Sequence, residues 1–274
     1  MGILLALTSA IVWGTGDFAG GVATRRGGQF QVLALSALSG IVLLLVLAWA
    51  TGEAPPSLTS SGWAASAGLV GAVGLACLYR GLAIGNAATV APTAAVVTAT
   101  LPVVFASLTA GLPKVTQIAG FGLAMAGIWL VARTTSSSQS GKSGLKLAVI
   151  AGCGFGAFLT LIAQVEPGLV FGPLAVARSI TLVTACLATV VSRESFPGLF
   201  SNPVALLAGI FDAGGNVFYL LARQHTRLDV AAVLSSLYPA ATVVLARVIS
   251  SEPVTRMQWF GAAVCLAAIG LITA

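Results

Sequence analysis

The chain alternates between long apolar runs and short breaks rich in Gly, Pro, Ser and charged residues. A helix needs about 20 apolar residues to cross roughly 30 Å of hydrocarbon. On that criterion the pattern predicts spans near 2–22, 30–50, 63–84, 87–110 and 115–133, then near 145–165, 169–191, 203–223, 229–250 and 255–273. Turn chemistry separates them: Arg25-Arg26-Gly27-Gly28, Gly52-Glu53-Ala54-Pro55-Pro56, Leu112-Pro113-Lys114, Glu166-Pro167-Gly168, Ser201-Asn202-Pro203 and Glu252-Pro253. The runs lack the alternating polarity of barrel strands, and the bilayer otherwise admits only helices as spanning segments. The expected fold is all-α and polytopic, with about ten transmembrane helices.

Composition supports the same solvent. Charged residues are 7% of the chain and hydrophobic residues 58%, whereas soluble domains carry roughly 25% charge. Mean hydropathy is +1.02. The net charge of +6 comes from basic residues scattered between apolar runs, which is the pattern of orientation signals and not of a nucleic-acid surface. Met1 to Ala10 lacks a basic leader and runs on into apolar sequence, so it reads as the first span. Cys77, Cys153, Cys186 and Cys265 sit inside apolar runs with neither zinc nor disulfide spacing. His225 is the single histidine, so a two-histidine metal motif does not arise. Gly14-x-Gly16 lies within a span and is no dinucleotide loop, and no phosphate-binding loop is present. Without a nucleophile–base pair, enzyme chemistry has no carrier; no cofactor is expected.

The least apolar stretch, at 134–143, falls at mid-chain and reads as a linker. Around it the sequence repeats. A shift of 140 brings Leu78-Tyr79 onto Phe218-Tyr219, Val90-Ala91 onto Val230-Ala231, and Pro113 onto Pro253. A shift of 141 brings Gln117 onto Gln258, Gly120 onto Gly261 and Leu130 onto Leu271. A shift of 142 pairs Trp13-Gly14 with Phe155-Gly156. The units are 1–133 and 145–274, joined by 134–144. With five spans each, the second unit enters the membrane from the opposite side, which makes the repeats inverted. Such repeats suit alternating access around a site near the midplane.

The residues also carry a resemblance. Trp13-Gly14-Thr15-Gly16-Asp17-Phe18-Ala19-Gly20-Gly21 stands in the first half. Gly172-Pro173-Leu174-Ala175-Val176-Ala177-Arg178, Tyr238-Pro239 and Glu252-Pro253-Val254-Thr255-Arg256-Met257-Gln258-Trp259-Phe260-Gly261 stand in the second. In order and spacing, over essentially the whole chain, these resemble EamA-type members of the drug/metabolite transporter superfamily. The first repeat departs from the pattern at Leu112, Ala99 and Ser36, where the loop glutamate, the helix proline and the counterpart of Arg178 would align. The resemblance implies a transporter of small metabolites such as amino acids, and implies export. Sugar or nucleotide-sugar carriers of the superfamily are the alternative, and a non-transporting scaffold or regulatory subunit is a further one.

Ionisable side chains at membrane depth cost roughly 2.5–3.5 kcal/mol on insertion scales and mark function by default. Three qualify: Asp17 about three-quarters along the first span, Arg178 in the seventh and Asp212 in the eighth. An acid in apolar surroundings can exchange protons near neutral pH while arginine stays charged. Asp17 or Asp212 is therefore the candidate proton carrier. Arg178 balances charge or meets a substrate carboxylate. A structural ion pair that orients helices is the competing reading.

Asp212, Asn216, Tyr219 and Arg223 form one polar stripe, expected to face the interior or a cavity. Tyr79, the counterpart of Tyr219, and Trp13 are candidate walls, with simple packing the alternative for each. Pro92, Pro102 and Pro239 should kink their spans. Gln117 and Gln258, at helix starts, read as capping or loop contacts and not as substrate ligands. Expected partners are the bilayer of the plasma membrane, a small-molecule substrate and protons, with no nucleic acid and with a homodimer left open. The charge count places both termini outside, whereas the resemblance implies both inside.

Overall fold

Hydrocarbon offers no partner to a peptide group, so each spanning segment must close its own hydrogen bonds. The computed structural model resolves the apolar runs accordingly. It describes residues 1–24, 28–84, 87–132, 142–193, 195–196, 198, 200–250 and 255–273. The breaks expected at Arg25-Arg26-Gly27 and Glu252-Pro253, most of the linker, and the side chains of Tyr79 and Pro92 lie outside this description.

The first half holds α1 (Gly2–Thr24), α2 (Gln29–Thr51), α3 (Leu58–Ile84), α4 (Ala87–Thr109) and α5 (Val115–Ala132). The second holds α6 (Lys142–Ile162), α7 (Phe171–Val191), α8 (Pro203–His225), α9 (Leu228–Ser235), α10 (Tyr238–Ser250) and α11 (Arg256–Thr273). Among the described residues, seven helices are long and apolar enough to cross a bilayer, and shorter apolar segments cover 93–109, 115–131 and 228–241. Together they account for the ten expected spans.

Two spans differ from the expected ones. Helix α3 starts at Leu58 instead of near 63, because the Ser57 hydroxyl accepts from the Ser60 amide at 3.2 Å and caps a first turn too polar to read as membrane. The span expected at 229–250 is broken into α9 and α10 at Ser236-Leu237. Pro239 has no N–H to return to the Ser235 carbonyl, and its ring crowds that carbonyl. Pro102 lies within α4, which runs unbroken past it.

Packing runs between the halves. Helix α1 lies along α8, α3 along α6, α5 along α11, and α2 against both α7 and α8. Exchanging each helix for its repeat counterpart returns the same pairs: α1–α8 becomes α6–α3, α2–α8 becomes α7–α3, and α1–α10 becomes α6–α4. Contacts inside either half are sparse by comparison, so each repeat finds its core only in the other.

Small residues set these distances. Along the antiparallel α1–α8 pair, the Ser9 hydroxyl donates to the Gly215 carbonyl at 2.8 Å and the Asn202 amide to the Ala23 carbonyl at 2.9 Å. Between α2 and α8, a methyl on Gly209 would overlap the Ser36 carbonyl. The repeat shows in the caps as well. The Lys114 amide donates to Gln117 Oε1 at 3.1 Å, and the Thr255 amide to Gln258 Oε1 at 2.9 Å. Counterparts at a shift of 141 thus close the same half of a capping box.

The face bearing the N-terminus is tied shut across the halves. Glu53, in the α2–α3 loop, accepts from the amides of Val170 at 2.8 Å, Phe171 at 3.0 Å and Gly172 at 2.7 Å, at the start of α7. Ser57 donates to Glu166 at 2.8 Å. Arg227 bonds the Gly111 carbonyl at 2.8 Å and the fully buried Asp229 at 2.9 Å. Glu53→Ala leaves three amides at the start of α7, those of Val170, Phe171 and Gly172, without their acceptor and is expected to cost about 1–3 kcal/mol, read as a lowered thermal midpoint in detergent. Glu53→Gln, which keeps an acceptor oxygen, is expected to lose less.

Candidate functional site

Between the halves lies a cavity of about 840 Å³. Its lining begins at Thr24 and Gln29, on the face away from the termini, passes Trp13, Asn216 and Ser236 at mid-depth, and ends at Leu159 and Leu174, a turn from the opposite ends of α6 and α7. Most of the wall is aliphatic and aromatic, including Leu75, Leu78, Phe155 and Phe158. The sealed corner around Glu53 contributes none of the lining.

The charged residues converge on this cavity. Helix α7 carries Arg178 to Asp212 of α8, and the two form an ion pair. Their surroundings differ: the Arg178 side chain is 11% exposed and that of Asp212 is 40% exposed, so the carboxylate is the partner facing the lumen.

Asp17 lies on the cavity-facing side of α1 and is exposed to the lumen. No described residue donates a hydrogen bond to it. The tight α1–α8 crossing brings Asp17 close to Asp212, since a methyl on Gly16 would sit 3.2 Å from the Asp212 amide. The site therefore holds a neutralised pair beside an unneutralised acid.

Trp13 is fixed by the same crossing. Its indole N–H donates to the Asp212 carbonyl at 3.2 Å, its ring stacks on Tyr219 at 5.9 Å, and it meets the edge of Tyr238 at 6.3 Å. Gly215 makes room for the indole, because a methyl there would overlap the ring. Asn216 lines the cavity but is only 4% exposed, and its amide donates to the Asp212 carbonyl at 2.7 Å.

The polar stripe of α8 divides. Tyr219, a candidate for the substrate or ion pathway, faces the interior and not the lumen: it is fully buried, and its hydroxyl donates to the Leu159 carbonyl at 2.8 Å. A buried phenol must satisfy its O–H internally, and the α6 backbone supplies that partner, leaving Tyr219 as support behind Trp13. Arg223, a turn further on, is not in the lining either, and its Nε is buried without a hydrogen-bond partner among the described residues. Tyr79, the repeat counterpart, lies outside the described side chains.

Sequence reasoning passed over Ser236, which sits in the α9–α10 break. Its hydroxyl is buried without a hydrogen-bond partner among the described residues, at the cavity wall. The signal was Pro239 three residues on. A broken span exposes polar backbone only where a cavity receives it. Gly215→Ala is expected to push the Trp13 ring from its seat, costing about 1–3 kcal/mol as overpacking and shifting tryptophan emission. Gly214→Ala, where the added methyl meets only Val12 at 3.4 Å, is expected to leave both stability and emission near the starting protein.

No curated relative matches the chain in sequence. Among solved structures, a crystal structure of a protein 18% identical in sequence matches at a TM-score of 0.78, covering 99% of this chain and 98% of its own. At that identity the likeness speaks for the fold. The family model described as "EamA-like transporter family" matches twice, over residues 1–133 and 142–274. The double match spans nearly the entire helical bundle and its between-halves cavity: the chain belongs to the EamA-like transporter family, as a multi-pass membrane transporter of the drug/metabolite transporter superfamily.

Proposed function

We propose that the protein is a secondary transporter that exports small amphipathic, amino-acid-like metabolites across the plasma membrane in exchange for protons. The observation that carries this reading is the state of the three charged residues in the cavity. Asp212 is engaged by Arg178, so the proton-carrying role falls to Asp17, which no described residue neutralises. Around Asp17 stand Asp212 and Arg178 from α8 and α7 and Tyr238 from α10. A carboxylate there gains or loses a proton without breaking the neighbouring pair.

The largely apolar wall suits an amphipathic compound better than a sugar, whose many hydroxyls would need a denser set of hydrogen-bonding groups. Alternating access then requires the corner around Glu53 and Arg227 to part while the opposite mouth closes. Basic residues are concentrated on the mouth side of the bundle. The positive-inside rule puts that side in the cytoplasm, which for an exporter is the loading side.

Reconstituted vesicles with an imposed pH gradient test the coupling. Asp17→Asn is expected to abolish gradient-driven accumulation of labelled amino acids and of their amine and ester analogues while sparing downhill exchange; accumulation at the unaltered rate removes Asp17 from the mechanism. Absence of any flux in the unsubstituted protein favours the scaffold reading. For orientation, single cysteines at positions 134–143 are expected to resist a membrane-impermeant thiol reagent in intact cells and to react after the cells are opened.

A further inference from the structure

The chemistry of the cavity reaches further than a generic amphipathic substrate. Among the described lining residues the carboxyl and guanidinium groups are those of Asp17, Asp212 and Arg178. Two carboxyl groups stand against one guanidinium, so these lining residues hold one acid more than they hold bases. The exposure of the pair sharpens the asymmetry, because Asp212 faces the lumen at 40% while Arg178 is withdrawn to 11%. A ligand entering from the mouth meets carboxylates first. The guanidinium behind them is already compensated.

Aromatic faces stand in the same place. Trp13 lies one helical turn from Asp17 on α1, and both line the cavity. Tyr238 meets Trp13 edge to face at 6.3 Å. Ring faces attract cations through their quadrupole, more strongly where water is excluded. Phe155, Phe158, Leu75 and Leu159 continue the wall with apolar surface. An acid to which no described residue donates a hydrogen bond, aromatic rings a turn away and an apolar chamber beyond form a complementary surface for a cationic head on an apolar body.

We infer that the charged group this cavity recognises is an ammonium, so that its substrates are apolar amines or amino-acid derivatives whose carboxylate is absent or masked. This rests on the transport reading above and narrows its substrate class. An anionic carboxylate would face Asp17 and Asp212 in the lumen, with Arg178 already committed.

Three probes share one ring and spacer and differ in charge: 2-phenylethylammonium, L-phenylalanine and 3-phenylpropionate. Titration of each into the purified full-length protein, followed by calorimetry or tryptophan emission, is expected to show the ammonium binding at least about tenfold tighter than the other two. Asp17→Asn is expected to erase that preference and Asp17→Glu to keep it, with thermal midpoints confirming that both variants are folded. Because the ranking is measured first on the unsubstituted protein, it stands whether or not a variant folds. Equal or tighter binding of phenylalanine or phenylpropionate overturns the ammonium assignment and leaves transport standing. A preference that survives in folded Asp17→Asn overturns the assignment too. Failure of all three to bind the folded protein removes the cavity as a substrate site, and the proposed function falls with it.

Discussion

Hydrocarbon solvates neither an unpaired peptide group nor a carboxylate, and most of the architecture follows from where this chain puts the few groups that break that rule. Each repeat carries polar side chains at membrane depth that it cannot enclose with five spans of its own. Joining the repeats encloses them. Helices α1, α2 and α3 of one half pack on α8, α7 and α6 of the other, and the space left between them is the cavity that receives Asp17, Arg178 and Asp212. The lipid-facing surface can then be uniformly apolar.

The close crossing of α1 and α8 links that constraint to the site. Gly16 and Gly215 let the two backbones approach and give the Trp13 indole its seat. The same approach puts the indole N–H on the Asp212 carbonyl. One helix pair thereby positions the aromatic wall, the unneutralised acid and one member of the ion pair. Buried ion pairs are costly to desolvate and stabilise little against an apolar replacement. Here the pair engages one carboxylate and leaves the other, Asp17, without a cationic partner among the described residues.

The two ends of the cavity differ in how they are held. At the terminus-bearing face, Glu53 caps the start of α7 and Arg227 grips the end of α4. Both contacts join elements of opposite halves and both use loop residues, whose hydrogen bonds can be exchanged with water at modest cost. The discontinuity between α9 and α10 lies at the depth of the cavity, beside Trp13 and Tyr238. A helix already interrupted at Ser236-Leu237 can bend there without breaking a continuous hydrogen-bond ladder.

Much of the fold was legible along the chain, because hydropathy and a mid-chain polar linker report directly on span length and duplication. The capping glutamines, Gln117 and Gln258, were legible for a related reason: a cap is a local interaction, set by residues three apart. Asp17, Arg178 and Asp212 stood out because charge at membrane depth is rare whatever the surroundings. Their division of labour did not, since pairing depends on which helices meet, and Arg178 and Asp212 lie 34 residues apart. The same limit explains Tyr219, whose place in a polar stripe pointed to the interior or a cavity alike until the Leu159 carbonyl of α6 claimed its hydroxyl for the interior. Glu53 read as an ordinary turn residue because the amides it caps belong to the other half of the chain. Local pattern is written in neighbouring residues; partner choice between inverted halves is decided only when they pack.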